Sequence, residues 1–151
     1  MMVFLPDDMA KICFGHRSRM TARAVTRAFN TRLRPLNLQI TQYTLLAAIS
    51  MDGDRSIAAL ADALDLEPST LQRNLKLLEN RALLTLKGGQ GRKGRRLAIT
   101  PAGLALLEAG VPIWTKIQAD FAAILGGRAE QTRAALAALE RAALRLERSH
   151  S

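Results

Sequence analysis

Four of the seven residues over 88–94 are glycine. A helix interior cannot hold that density, because glycine loses more backbone freedom on ordering than any other residue. The segments on either side are short. Residues 82–87 read as one strand, and from Arg96 to Thr100 polar and apolar residues alternate, the period of a second. Two strands joined by this link make a β-hairpin, whose tip carries Arg92, Lys93 and Arg95. Aromatic residues are only 4% of the 151, and Ala, Leu and Arg dominate, all strong helix formers. The expected class is mainly α with one small β-hairpin.

The other segments carry helical signals. Over 8–34, Ile12, Met20, Ala24, Ala28 and Phe29 fall on one stripe with arginines between them, and Pro35 should end the helix by pushing Arg34 out of the α region. Thr41 is placed to cap a second helix over 42–51, and Ser56 a third over 57–64. Pro68 suits the first position of a fourth helix, where its missing N–H costs nothing. There Leu71, Leu75 and Leu78 form a stripe for the core. Ser69, Thr70, Gln72, Arg73, Asn74 and Lys76 are left for the outer face and its flanks. Thr100 and Pro101 open a long helix to Leu125, with Pro112 expected to kink it, and 129–148 form the last.

The formal net charge is +9. It is unevenly spread: residues 67–100 hold eight bases and two acids, whereas 41–66 hold one base and four acids. An excess of this kind attracts polyanions. Helix, short turn, helix with a polar outer face, then a basic hairpin is the order of a winged helix–turn–helix. The fourth helix fits a major groove about 12 Å wide, where Gln72 and Asn74 suit adenine and Arg73 suits guanine. Ser69 and Thr70 are small donors and acceptors at its first turn. Lys76 is better placed for a phosphate, and the wing residues Arg92, Lys93 and Arg95 for the backbone or the adjacent minor groove. The expected partner is double-stranded DNA.

The terminal helices have another task. Leu104, Leu107, Val111, Trp114, Gln118, Phe121 and Leu125 step by three and four, and so do Leu136, Leu139, Ala143 and Leu146, the spacing of a helix–helix seam. One chain has no obvious cover for these seams, and a second copy would supply it. The domain reading follows: a helical dimerisation region from 1–35 and 101–151, and a DNA-binding domain over 36–100.

Three stretches together resemble the MarR family of bacterial transcription regulators. They are Leu33-Arg34-Pro35-Leu36-Asn37-Leu38-Gln39-Ile40-Thr41-Gln42-Tyr43, similar to an L-R-P-L-G-L-T-x-x-Q texture, then Ser69-Thr70-Leu71-Gln72-Arg73-Asn74-Leu75, and the basic wing leading into Leu97-Ala98-Ile99-Thr100-Pro101-Ala102-Gly103. The resemblance implies a homodimer on a palindromic operator. It further implies repression in most cases, and release by a small molecule or oxidant bound between the dimer and DNA-binding regions. The wing departs from the family pattern, because it holds no acidic residue to brace an arginine.

Two triggers remain open. A small aromatic or lipophilic effector would sit near Phe14, Phe29 and Tyr43. Alternatively Cys13, the one cysteine, would sense peroxide, with Arg17 one turn on favouring its thiolate, although this helix has none of the tyrosines that assist such cysteines in the family. Cys13 and His16 are too few ligands for a metal site. No cofactor is implied, and the sequence shows no paired acids in an apolar setting, no nucleophile with a base nearby, no Walker-type loop and no HExxH, which argues against an enzyme. The remaining rival is an architectural protein binding DNA without sequence preference. No apolar run approaches the ~20 residues of a membrane span, and the first residues do not read as a secretory signal, so the expected location is the cytoplasm.

Overall fold

In the computed structural model, which describes residues 11–51, 56–88 and 96–149, the described residues include six helices of eight residues or more, two short 3-10 turns and one hairpin. Of the helix expected over 8–34, residues 8–10 lie outside the described residues; Lys11 and Ile12 are helical, and the long helix, α1, is Phe14–Leu33. Cys13 interrupts it: its backbone is extended (φ −78°, ψ 110°) and its Sγ accepts from the His16 N–H at 3.4 Å, so the thiol caps the helix.

Arg34 was expected to leave the α region and does not (φ −52°, ψ −40°). The chain instead tightens into a 3-10 turn, Arg34–Leu36, closed by the Asn37 N–H on the Arg34 carbonyl. The preference before proline is a bias, and this hydrogen bond outweighs it. The reversal falls on Asn37 at φ 51°, a left-handed conformation that asparagine tolerates better than most residues.

The second helix, α2, is Ile40–Met51 and begins one residue before Thr41, so Thr41 is not its cap. Two other side chains serve that end. Asn30 Oδ1 accepts from the Ile40 N–H at 2.8 Å and Gln42 Oε1 from the Gln39 N–H at 3.0 Å. These satisfy donors that a helix start leaves orphaned.

Helix α3 (Ile57–Leu64) is capped by Ser56, whose Oγ accepts from Ala59 N–H at 3.1 Å. It ends at Asp65 in the left-handed region, with Leu66 N–H returning to the Ala61 carbonyl. Helix α4 (Pro68–Asn80) has proline in its first turn and buries Leu71, Leu75 and Leu78, each stabilising the fold by about 1.5–3 kcal/mol. Strands β1 (Leu84–Lys87) and β2 (Arg96–Ile99) pair antiparallel, Leu84 opposite Ile99 and Lys87 opposite Arg96. Leu84 and Leu97 turn into the same core as Leu33, Leu45, Leu46, Leu60 and Leu71.

Helix α5 (Pro101–Leu125) is started by Thr100, whose Oγ1 accepts from Gly103 N–H at 3.0 Å and donates to the Ala82 carbonyl at 2.7 Å. Two glycines let this helix come close to its neighbours. A Cβ on Gly103 would collide with the Leu83 carbonyl oxygen, and one on Gly110 with the Tyr43 ring.

The chain divides into two compact units, Met1–Ile113 and Trp114–Ser151, with the boundary inside α5 just after Pro112. The second unit continues through the turn Gly126–Arg128 into α6 (Ala129–Arg148), which has no buried residue. Among the described residues no helix is long and apolar enough to cross a membrane.

Candidate nucleic-acid interface

The geometry of α4 follows from its leucines. With Leu71, Leu75 and Leu78 fixed in the core, helical periodicity turns the opposite row outward. Ser69, Gln72, Arg73 and Lys76 are all exposed, spaced at three, four and seven from the first, so they share one face. Thr70 is half-buried at its edge. The row begins at the N-terminal turn, where short side chains and free backbone N–H groups meet an incoming anion.

Asn74 is a correction. It is buried, 8% exposed, and its Nδ2 donates to the Thr70 carbonyl at 2.9 Å. It lies one residue before Leu75 and three after Leu71, so it rotates with the core row and is not on the outer face. Lys76 is exposed but shares its charge, with Nζ 3.3 Å from Glu79 Oε2. An exposed pair like this is worth about 0–1 kcal/mol, so it yields readily to a phosphate.

The wing residues Arg92, Lys93 and Arg95 lie outside the described residues. The paired strands nevertheless bring two cations together that the sequence reading did not single out. Lys87 and Arg96 are directly opposite in the register and both are exposed. Only the register reveals the pair, because nine positions separate the two in sequence.

The residues proposed to sense a signal do not gather. Phe14 and Phe29 are fifteen positions apart on one helix, about 22 Å at 1.5 Å per residue, so they cannot line one crevice. Phe14 is exposed at 74%, whereas Phe29 is buried. Arg17 is exposed and Cys13 half-buried, its Sγ engaged by the His16 N–H. Tyr43 is buried, with its hydroxyl 3.4 Å from the Leu107 carbonyl, and burial pushes its phenol above the ordinary value of 10.0. Among the described residues no three His, Cys, Asp or Glu side chains come together as a metal site would need.

Comparison with known proteins agrees with this geometry. Residues 36–96 match the sequence model of the MarR family. None of the functionally curated proteins matches the chain. Among solved structures, the transcriptional regulator MosR of M. tuberculosis is 32% identical, with a TM-score of 0.79 over 89% of this chain and 97% of that one. The MosR complex with DNA is 31% identical, with a TM-score of 0.78 over 89% and 98%. BpsR of Bordetella bronchiseptica, whose DNA binding is regulated by 6-hydroxynicotinic acid, is 25% identical, with a TM-score of 0.71 over 87% and 92%. A recognition-type helix, a basic hairpin and a close relative solved on DNA converge: this chain belongs to the MarR family, whose members are DNA-binding transcription regulators and not enzymes.

Proposed function

We propose that the protein is a homodimeric repressor that reads a palindromic operator with α4, grips the flanking backbone with its hairpin, and is released by a small molecule. The observation that carries this is the exposed row Ser69, Gln72, Arg73 and Lys76 on a helix whose other side is anchored in the core. A reading helix must be both rigid and polar on its free face, and this one is. The domain assignment accompanies it: 36–100 for DNA, 1–35 and 101–151 for the dimer. In its favour, the apolar side chains of the terminal helices are exposed, among them Met20, Val111, Trp114 and Leu146. Two copies would then present their helices to half-sites about 34–36 Å apart. Release by a small molecule is supported by the relative whose DNA binding 6-hydroxynicotinic acid regulates.

The test begins with selection of bound genomic fragments, followed by titration of the selected site and of a scrambled duplex. A regulator prefers its site by at least about 10³-fold. Near-equal affinity for both duplexes would instead mark an architectural protein. Arg73→Ala should weaken operator binding by about 1–3 kcal/mol and relax one base position. Unchanged affinity would remove α4 from the groove.

A further inference from the structure

Leucines hold α4 in the core, and hydrophobic burial has no direction of its own. It fixes which row faces inward but leaves small rotations and slides of the helix cheap. Reading bases is less tolerant, because a binding constellation must be held to within about 0.5 Å. Directional bonds that leave the helix therefore matter. Among the described residues, the side chains of 67–80 make none to another element. Asn74 Nδ2 donates to the Thr70 carbonyl and Lys76 pairs with Glu79, both inside α4.

The bond that leaves the helix comes from its far end. Arg81, the C-terminal cap residue of α4, is half-buried. Its Nη1 donates to the Asn37 carbonyl at 2.6 Å and its Nη2 to the Leu36 carbonyl at 3.3 Å, 44 and 45 positions away in the chain. Both acceptors are fixed. Their turn is closed by the Asn37 N–H on the Arg34 carbonyl at 2.9 Å and lies between Leu33 and Leu38, which are buried. The donor is anchored too. The Arg81 N–H returns to the Leu77 carbonyl, and the next carbonyl, that of Ala82, accepts from Thr100 Oγ1 at 2.7 Å. A planar guanidinium offers two N–H groups side by side and so spans two consecutive carbonyls, whereas an ammonium is a point donor on a flexible stem. The charge-assisted pair thus joins two rigid parts, the turn ahead of α2 and the end of α4.

We infer that Arg81 is a positioning residue: its guanidinium, forked onto the Leu36 and Asn37 carbonyls, sets the seat of α4 and through it the preference for operator over other DNA. Arg81 does not itself read a base. It lies at the opposite end of α4 from Ser69, about 18 Å away at 1.5 Å per residue, and both its terminal nitrogens are engaged. It holds the helix at one end while Gln72 and Arg73 work nearer the other. The effect on DNA preference rests on the proposed function; the seating of α4 does not.

The test uses the full-length protein and three variants. Arg81→Lys keeps the charge and loses the fork, and Arg81→Met loses both. Ile49→Val trims a core residue that is 3% exposed and controls for lost stability. Without DNA, ¹⁵N spectra of Arg81→Lys should shift the amides of Asn37 and Leu38, which share peptide groups with the two acceptor carbonyls, and also those of Gln72 and Arg73. The last two are at least about 12 Å from position 81 along the helix, so their shifts report its seat and not a local change. The affinity ratio of the selected operator to a scrambled duplex should fall at least about tenfold in Arg81→Met, the size of one lost base contact. It should fall by a smaller, measurable factor in Arg81→Lys, whose salt slope stays that of the wild type. Ile49→Val should keep the wild-type ratio. The inference is overturned if the Gln72 and Arg73 amides stay in place in Arg81→Lys, if that variant keeps the full ratio, or if Ile49→Val lowers the ratio as much as Arg81→Met. Equal weakening of both duplexes by Arg81→Met, with a salt slope lower by about one ion, would make Arg81 a phosphate contact and overturn it as well. A wild-type protein that prefers neither duplex would sink the proposed function, while the amide shifts would still decide the seating of α4, so the two fail separately.

Discussion

Single residues in this protein often act through what they exclude. Gly103 faces the Leu83 carbonyl across a gap that no Cβ can enter, and backbone cannot move aside as a flexible side chain would. Gly103→Ala should therefore destabilise the fold by about 1–3 kcal/mol in urea unfolding. Gly127, with nothing within 4 Å of a Cβ, is the control, where alanine should be neutral or stabilise by up to about 1 kcal/mol. Tyr43 acts through solvation. Its raised phenol pKa means the folded state favours the neutral ring, so that contribution is complete below pH 10.0 and is lost as pH rises through the raised value. Melting from neutral to alkaline pH should show wild type losing stability relative to Tyr43→Phe, and parallel curves would remove the argument. Asn74 shows how far residue type misleads. Its chemistry suits adenine, but its position on α4 points it to the Thr70 carbonyl.

At the scale of elements, the caps divide into those readable in the sequence and those that are not. Ser56 and Thr100 serve helices that start within a few residues of them, and both were legible from residue type and spacing. The start of α2 was not, because its donors are met by Asn30 from the previous helix and by Gln42 from inside its own first turn. Cys13 as a cap was equally hidden, since the helical stripe runs past it without a break in pattern. The hairpin sets Lys87 opposite Arg96, and Lys87→Thr removes one of the two charges without touching the strand register. If the hairpin grips phosphates, the same change should weaken all DNA sequences alike and flatten the salt dependence by about one ion. An unchanged salt slope would remove Lys87 from the interface.

At the scale of the whole molecule, the terminal helices α1, α5 and α6 leave large apolar side chains exposed in a single chain. None of the α6 residues is buried, and Met20, Trp114, Ile124 and Leu146 are exposed to solvent. A second copy covering them should appear as a light-scattering mass of two chains at micromolar concentration. A mass of one chain would leave the terminal helices without the task proposed for them. The class, the helix order, the leucine row of α4 and the two strands were all determined by the sequence alone, because local periodicity, turn-forming residues and proline act over a few positions. The inward turn of Asn74 and the Lys87–Arg96 register were decided only by tertiary structure. Each brings together residues separated in the chain or sets the rotation of a helix by what packs beneath it, and no local pattern encodes that packing.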